Sequence, residues 1–221
     1  MLSLRKATLI LGLCSSASLV HATPIVLNAD HFSVSYDDTQ AGPYKQGLLS
    51  GSQDTVYFLP TQLYAFSGGA PVRTAASLQL TLTIDAGYSF AGLAFAEWGD
   101  YFLSAGGSVD AAASLQALNL STLASSTLDL TPGAPLSQAG LSTHWELGGV
   151  LSPLGLGAPQ TLRLTLSNEL TAAPADGIGF IQKTYAGFRV MTAPQAVPEP
   201  SSWTLLVAGM LAALLGGRRS G

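Results

Sequence analysis

Leu78-Gln-Leu80-Thr-Leu82-Thr-Ile84 alternates apolar and polar residues without a break. A period of two places every apolar side chain on one face of an extended backbone, which reads as a half-buried strand. The pattern returns in Phe32-Ser-Val34-Ser-Tyr36 and Leu162-Arg-Leu164-Thr-Leu166, and more loosely in Thr55–Leu59, Tyr88–Phe95, Ser114–Leu120, Thr143–Leu151 and Gly187–Met191. Turn clusters separate these runs, among them Asp37-Asp38, Gly42-Pro43, Asp85-Ala-Gly87, Gly106-Gly107 and Asp176-Gly177. Only Val109–Leu123, rich in alanine and leucine, has helix propensity to set against the strand reading. The pattern therefore predicts an all-β fold, an antiparallel β-sandwich of jelly-roll or immunoglobulin-like topology.

The two ends differ from this middle. Arg5 and Lys6 precede an apolar run from Ala7 to Val20, and Val20-His21-Ala22 leaves small residues before a cut between Ala22 and Thr23. That is the layout of a secretory signal peptide, so residues 1–22 form a signal helix outside the fold. At the other end, Pro198-Glu199-Pro200 precedes an apolar run, Trp203 to Gly217, that is followed by Arg218 and Arg219. The prolines keep a helix from propagating backward. A helix with no polar face belongs in a bilayer or a core, and paired arginines stay on the cytoplasmic side. Fifteen residues rise about 22 Å at ~1.5 Å each, short of a hydrocarbon core of about 30 Å. The span suits a temporary anchor. The expected organisation is signal peptide 1–22, β-sandwich 23–192, proline-rich linker 193–202, and a short transmembrane sorting helix with a basic end, 203–221.

This tail resembles the PEP-CTERM sorting signal of Gram-negative bacteria, through Pro198, Glu199, Pro200, the Leu205–Leu215 helix, Arg218 and Arg219. The resemblance implies export through the secretion translocon and transient anchoring in the inner membrane. A membrane protease, exosortase, then removes the tail, and the protein passes to the cell surface or the exopolysaccharide matrix of a biofilm. Phe32-Ser-Val-Ser-Tyr-Asp37, Glu97-Trp-Gly-Asp-Tyr101 and Asn168-Glu-Leu-Thr-Ala172 also resemble a layout of surface proteins of this type, and that layout carries no catalytic signature.

Without its ends, the chain changes character. Its single cysteine, Cys14, leaves with the signal peptide, which excludes disulfides, zinc–thiolate sites and a cysteine nucleophile from the mature domain. Removal of Arg5, Lys6, Arg218 and Arg219 leaves five basic residues against thirteen acidic ones, a net charge of about −8. That balance argues against nucleic acid as a partner and is compatible with cations or neutral sugars.

The middle carries no catalytic motif: no Gly-x-Ser-x-Gly elbow, no His-Glu-x-x-His and no phosphate loop. Asp30 and His31 are adjacent, and strand neighbours face opposite ways, so they do not pair simply. His144 beside Trp145 reads as a sheet residue. Glu97 and Asp100 read as the polar ends of a turn closing a hairpin around Gly99. Loops with Asn28, Asp30, Asp37, Asp38, Glu97, Asp100 or Asp176 offer oxygens for a structural calcium, though none has EF-hand spacing, and no other cofactor is expected. Trp98 and Tyr101, with Asp100 between them, are the candidate glycan contacts, through ring stacking and a neighbouring carboxylate. The primary expectation is a non-enzymatic exported protein with a structural or adhesive role and weak exopolysaccharide binding. The alternative is a carbohydrate-active hydrolase or lyase, which requires Glu97, Asp100 and Glu146 to converge beside an exposed tryptophan.

Overall fold

A computed structural model of the 221-residue chain describes residues 24–196 and Met210. The expected signal peptide with its Ala22–Thr23 cut, Pro198, Glu199, Pro200, Arg218, Arg219 and the expected apolar helix lie outside the described residues, Met210 apart. Among the described residues no helix is long and apolar enough to cross a membrane.

The strands are β1 (Ile25–Asn28), β2 (Phe32–Tyr36), β3 (Gly47–Leu49), β4 (Thr55–Phe58), β5 (Tyr64–Ser67), β6 (Val72–Ile84), β7 (Tyr88–Leu103), β8 (Gly107–Asn119), β9 (Ser125–Leu130), β10 (Thr143–Leu151), β11 (Thr161–Pro174) and β12 (Gly179–Pro194). A 3₁₀ turn, Gly42–Tyr44, precedes β3. The strands form two antiparallel sheets. The first has the order β1-β2-β6-β11-β8-β9. The second runs β10-β7-β12-β4-β3, with β5 also paired to β12. From β6 onward every connection crosses between the sheets except the β8–β9 hairpin, so β4 and β6–β12 interleave as Greek keys.

The alternation sets which face goes inward. Leu78, Leu80, Leu82 and Ile84 are all buried, whereas Gln79 and Thr83 face water. Leu162, Leu164 and Leu166 lie in the same layer, in register with Leu82, Leu80 and Leu78 of β6. Phe95, Phe188, Trp145, Leu147 and Ile181 of the second sheet close the core from the other side. Each fully buried side chain of this size contributes about 1.5–3 kcal/mol.

The strand reading of Ser114–Leu120 holds against its helix propensity, and the structure revises the reading beside Gly99. The Ser114–Leu120 strand belongs to β8, where Ala111, Ala113, Leu115 and Ala117 all point inward; tertiary packing overrides their helix propensity. Glu97 to Tyr101 is not a hairpin turn but the middle of β7, paired on both sides, with β10 and β12. β12 runs to Pro194, where Ala193 and Pro194 pair with Ser89 and Tyr88, so the first two residues of the expected linker are strand.

Candidate functional site

The outer face of the second sheet is aromatic. Trp98 is 36% exposed, and its ring stacks on Tyr185 with centroids 3.6 Å apart and planes within 6°. Tyr57 continues the row, 5.8 Å from Tyr185 at 18°. Phe66, Phe180 and Phe102 lie directly across from one another on β5, β12 and β7. Tyr64 and Phe66 are about half exposed. Polar groups sit among these rings. Asp100 lies opposite both His144 and Gln182, with the His144 ring nitrogen 3.7 Å from its carboxylate, and Glu146 lies opposite Trp98.

A β-bulge builds this arrangement. Lys183 and Tyr185 are two apart and would share a face in a regular strand. The register shifts between them, so Lys183 points inward and Tyr185 outward. The bulged Thr184 directs its hydroxyl to the Trp98 carbonyl at 3.4 Å. Two glycines accept the consequences. A Cβ on Gly99 would overlap the Gln182 backbone, and one on Gly187 would overlap the Tyr185 ring, which lies flat across that position.

Of the expected glycan contacts, Trp98 and Asp100 point outward together and Tyr101 does not. Its odd parity on β7 sends it into the core, 3% exposed, with its hydroxyl taking a hydrogen bond from the Gln138 amide at 3.3 Å. Tyr57 and Tyr185 escaped the sequence reading. Tyr185 was hidden because the bulge reverses the parity that alternation would assign.

The same parity buries Glu97. Between the sheets, Glu97, Lys183, Asn168 and Tyr44 form one polar node, each 3% exposed or less. The Lys183 ammonium donates to Glu97 Oε2 at 2.5 Å and to Asn168 Oδ1. Asn168 Nδ2 donates to the Tyr44 hydroxyl at 2.8 Å. Glu97 Oε1 is buried with no hydrogen-bond partner. Burial raises the Glu97 carboxyl above the usual carboxylate range, a rise that Lys183 and Asn168 oppose without cancelling. Burial lowers Lys183 to about 8 against the pull of Glu97, and raises Tyr44. Sequence reading missed Lys183 and Asn168 as a pair. The available signal was a lysine at inward parity, two residues beyond the core residue Ile181.

The carboxylates of the hydrolase alternative do not converge. Glu97 is sealed in the interior, whereas Asp100 and Glu146 face water on the second sheet. Glu169 lies outward on the other sheet, paired with Arg73. His31 stacks on Tyr88 at 3.9 Å. Among the described residues no three His, Cys, Asp or Glu side chains cluster to hold a metal ion.

A PEP-CTERM protein-sorting motif matches residues 196–220, so the chain carries a C-terminal sorting signal for export and exosortase processing. No curated protein matches the chain. Among solved structures, the infectious bursal disease virus Gx strain is 11% identical over 66% of this chain and 32% of that one, at a TM-score of 0.35. The CBM22-1 and GH10 modules of Clostridium thermocellum xylanase 10B, complexed with xylohexaose, are 16% identical over 57% of this chain and 26% of that one, at 0.28. A carbohydrate-binding module of the β-sandwich superfamily is 10% identical over 77% and 97%, at 0.23. The chain spans about a third or less of the viral and xylanase chains.

Proposed function

We propose that this exported, PEP-CTERM-bearing chain is a structural or adhesive protein of the cell surface or extracellular matrix, and that the outer face of its second sheet holds neutral polysaccharide weakly. The observation that carries this reading is the exposed, pre-stacked Trp98–Tyr185 pair, extended by Tyr57. A pyranose ring presents an apolar face of C–H groups and an equatorial rim of hydroxyls. The rings supply flat, rigid contact area at low entropic cost, and Asp100, Gln182 and Glu146 supply hydrogen-bond partners for the rim. An open sheet face fits an extended chain better than a single buried sugar. Binding on it is weak per site and gains from repetition along the polymer. The strand order favours a jelly roll over an immunoglobulin-like sandwich. The role is non-enzymatic, and the partners are the translocon and exosortase during export, then exopolysaccharide.

Affinity electrophoresis through gels containing the producing cell's exopolysaccharide tests it. Retardation of the wild-type domain is the expected result. Trp98→Ala and Tyr185→Ala should each weaken it about three- to tenfold, in line with ~0.5–1.5 kcal/mol per aromatic contact. Tyr64→Ala, away from the stack, should weaken it less. Equal mobility of wild type and Trp98→Ala would overturn the assignment.

A further inference from the structure

Lys183 and Asn168 come from opposite sheets, β12 and β11, and meet in the interior with a carboxyl beside them. We propose that they are joined by an isopeptide bond that the folded chain makes for itself, with Glu97 as the proton carrier.

The reaction needs a neutral amine, a carboxamide carbon within its reach, and a group that moves one proton. The node supplies all three. Lys183 Nζ lies against the carbonyl side of the Asn168 carboxamide and 2.5 Å from Glu97 Oε2. Transfer of one proton from ammonium to carboxylate gives a neutral amine and a neutral carboxyl, the forms that burial favours at both residues. The Nζ lone pair then attacks Asn168 Cγ. As the Cγ–Nζ bond forms and the Cγ–Nδ2 bond breaks, the Glu97 carboxyl gives its proton to Nδ2 and takes one from Nζ. Ammonia leaves, an amide N–H remains on Lys183, and Glu97 is left as the neutral carboxyl that it was when the attack began. No oxidant or co-reactant enters. Asn168 Nδ2, the leaving nitrogen, donates to the Tyr44 hydroxyl, which fixes the carboxamide from its far side. Groups fixed in contact in a site buried from solvent react as if at very high concentration, and burial disfavours hydrolysis.

The bond also accounts for the orphaned atom. An ion pair sealed in the core with Glu97 Oε1 unpartnered is costly, because two charges are desolvated and one acceptor is unused. After the bond forms, no charge remains in the node. A neutral Glu97 carboxyl then has both a new amide N–H to accept from and a new amide oxygen to donate to. The chain has one cysteine, outside this domain, so a lysine–asparagine amide is a covalent tie that it can make between its sheets without a disulfide.

Trypsin digestion of the denatured full chain decides the matter, because an amidated lysine is not cut. The expected product is the single peptide 164–189, uncut after Lys183 and lighter by one ammonia, with few backbone fragments between residues 168 and 183. Recovery of peptides 164–183 and 184–189 from the wild-type chain would overturn the proposal. Ammonia loss with a cut at Lys183 would mark a succinimide at Asn168 and would overturn it equally. Glu97→Gln should restore the cut at Lys183 and the full mass, and a bond that persists in that variant would overturn the role of Glu97. The wild-type peptide stands as a test even where the variant folds poorly.

Discussion

Single carboxylates in this domain take opposite fates according to whether burial or hydrogen-bond donors dominate. Glu97 is pushed toward its neutral form, whereas Asp54 is held ionised. Its Oδ1 accepts from Ser52 Oγ at 2.6 Å and from Thr55 Oγ1 at 2.8 Å, and its Oδ2 accepts from Arg189 Nε at 2.8 Å. These bonds, Ser52's first, lower its pKa to about 2 from an ordinary 3.8. A depressed carboxylate stabilises the fold fully above its ordinary value, and the contribution is lost as pH falls from about 3.8 to about 2. The pair is partly in water, so the contribution is below about 1 kcal/mol. Asp54→Asn should therefore cost less than about 1 kcal/mol at pH 7. It should also flatten the acid limb of stability between pH 4 and pH 2, read by urea unfolding at each pH. Residue identity alone made Trp98 and Asp100 visible as surface candidates. It could not separate them from Tyr101, because Gly99 looked like a turn and a turn has no parity. Once β7 runs straight through, parity alone places Tyr101 and Glu97 inside.

At the scale of elements, the legible strands were those with one wet face. Leu78–Ile84 and Leu162–Leu166 alternate because the outer face of the first sheet is hydroxyl-rich and wet. β7 and β12 were harder to read. Their outer face is aromatic, so polar and apolar residues no longer mark outside and inside, and a bulge interrupts the period between Lys183 and Tyr185. The two glycines of this strand pair should respond differently to a methyl group. At Gly99 the obstacle is the Gln182 backbone, which cannot move without breaking the β7–β12 ladder, so Gly99→Ala should destabilise by about 2–3 kcal/mol or more. At Gly187 the obstacle is the Tyr185 side chain, which can swing away. Gly187→Ala should unfold near the wild-type midpoint but lose most of the polysaccharide retardation, because the Trp98 stack loses its second ring. Thermal melts and affinity electrophoresis on the same two proteins separate the outcomes.

For the whole molecule, the sequence announces destination more clearly than architecture, because sorting signals are linear and sandwiches are not. The tail motif is one contiguous run, residues 196–220. The meeting of Lys183 with Asn168 depends on β11 and β12 lying in different sheets, fifteen residues apart along the chain. A tie at that point closes a loop of about fifteen residues, and the chain-entropy argument used for disulfides assigns such a loop about 3 kcal/mol. For a domain of this size that is about 6–12 °C in Tm. Comparing the wild type with an unlinked variant would confuse this gain with loss of the buried pair itself. One sequence in two covalent states avoids the confusion. Glu97→Asp keeps a carboxyl but draws it back by one methylene from Lys183, so the bond should form slowly and both states should be present early in a preparation. Brief proteolysis near the urea midpoint should then spare the linked molecules. The surviving pool should be enriched in the uncut 164–189 peptide, and the aged preparation should melt higher than the fresh one. Equal survival of the two states would mean that the tie adds nothing to a sandwich already closed by its core.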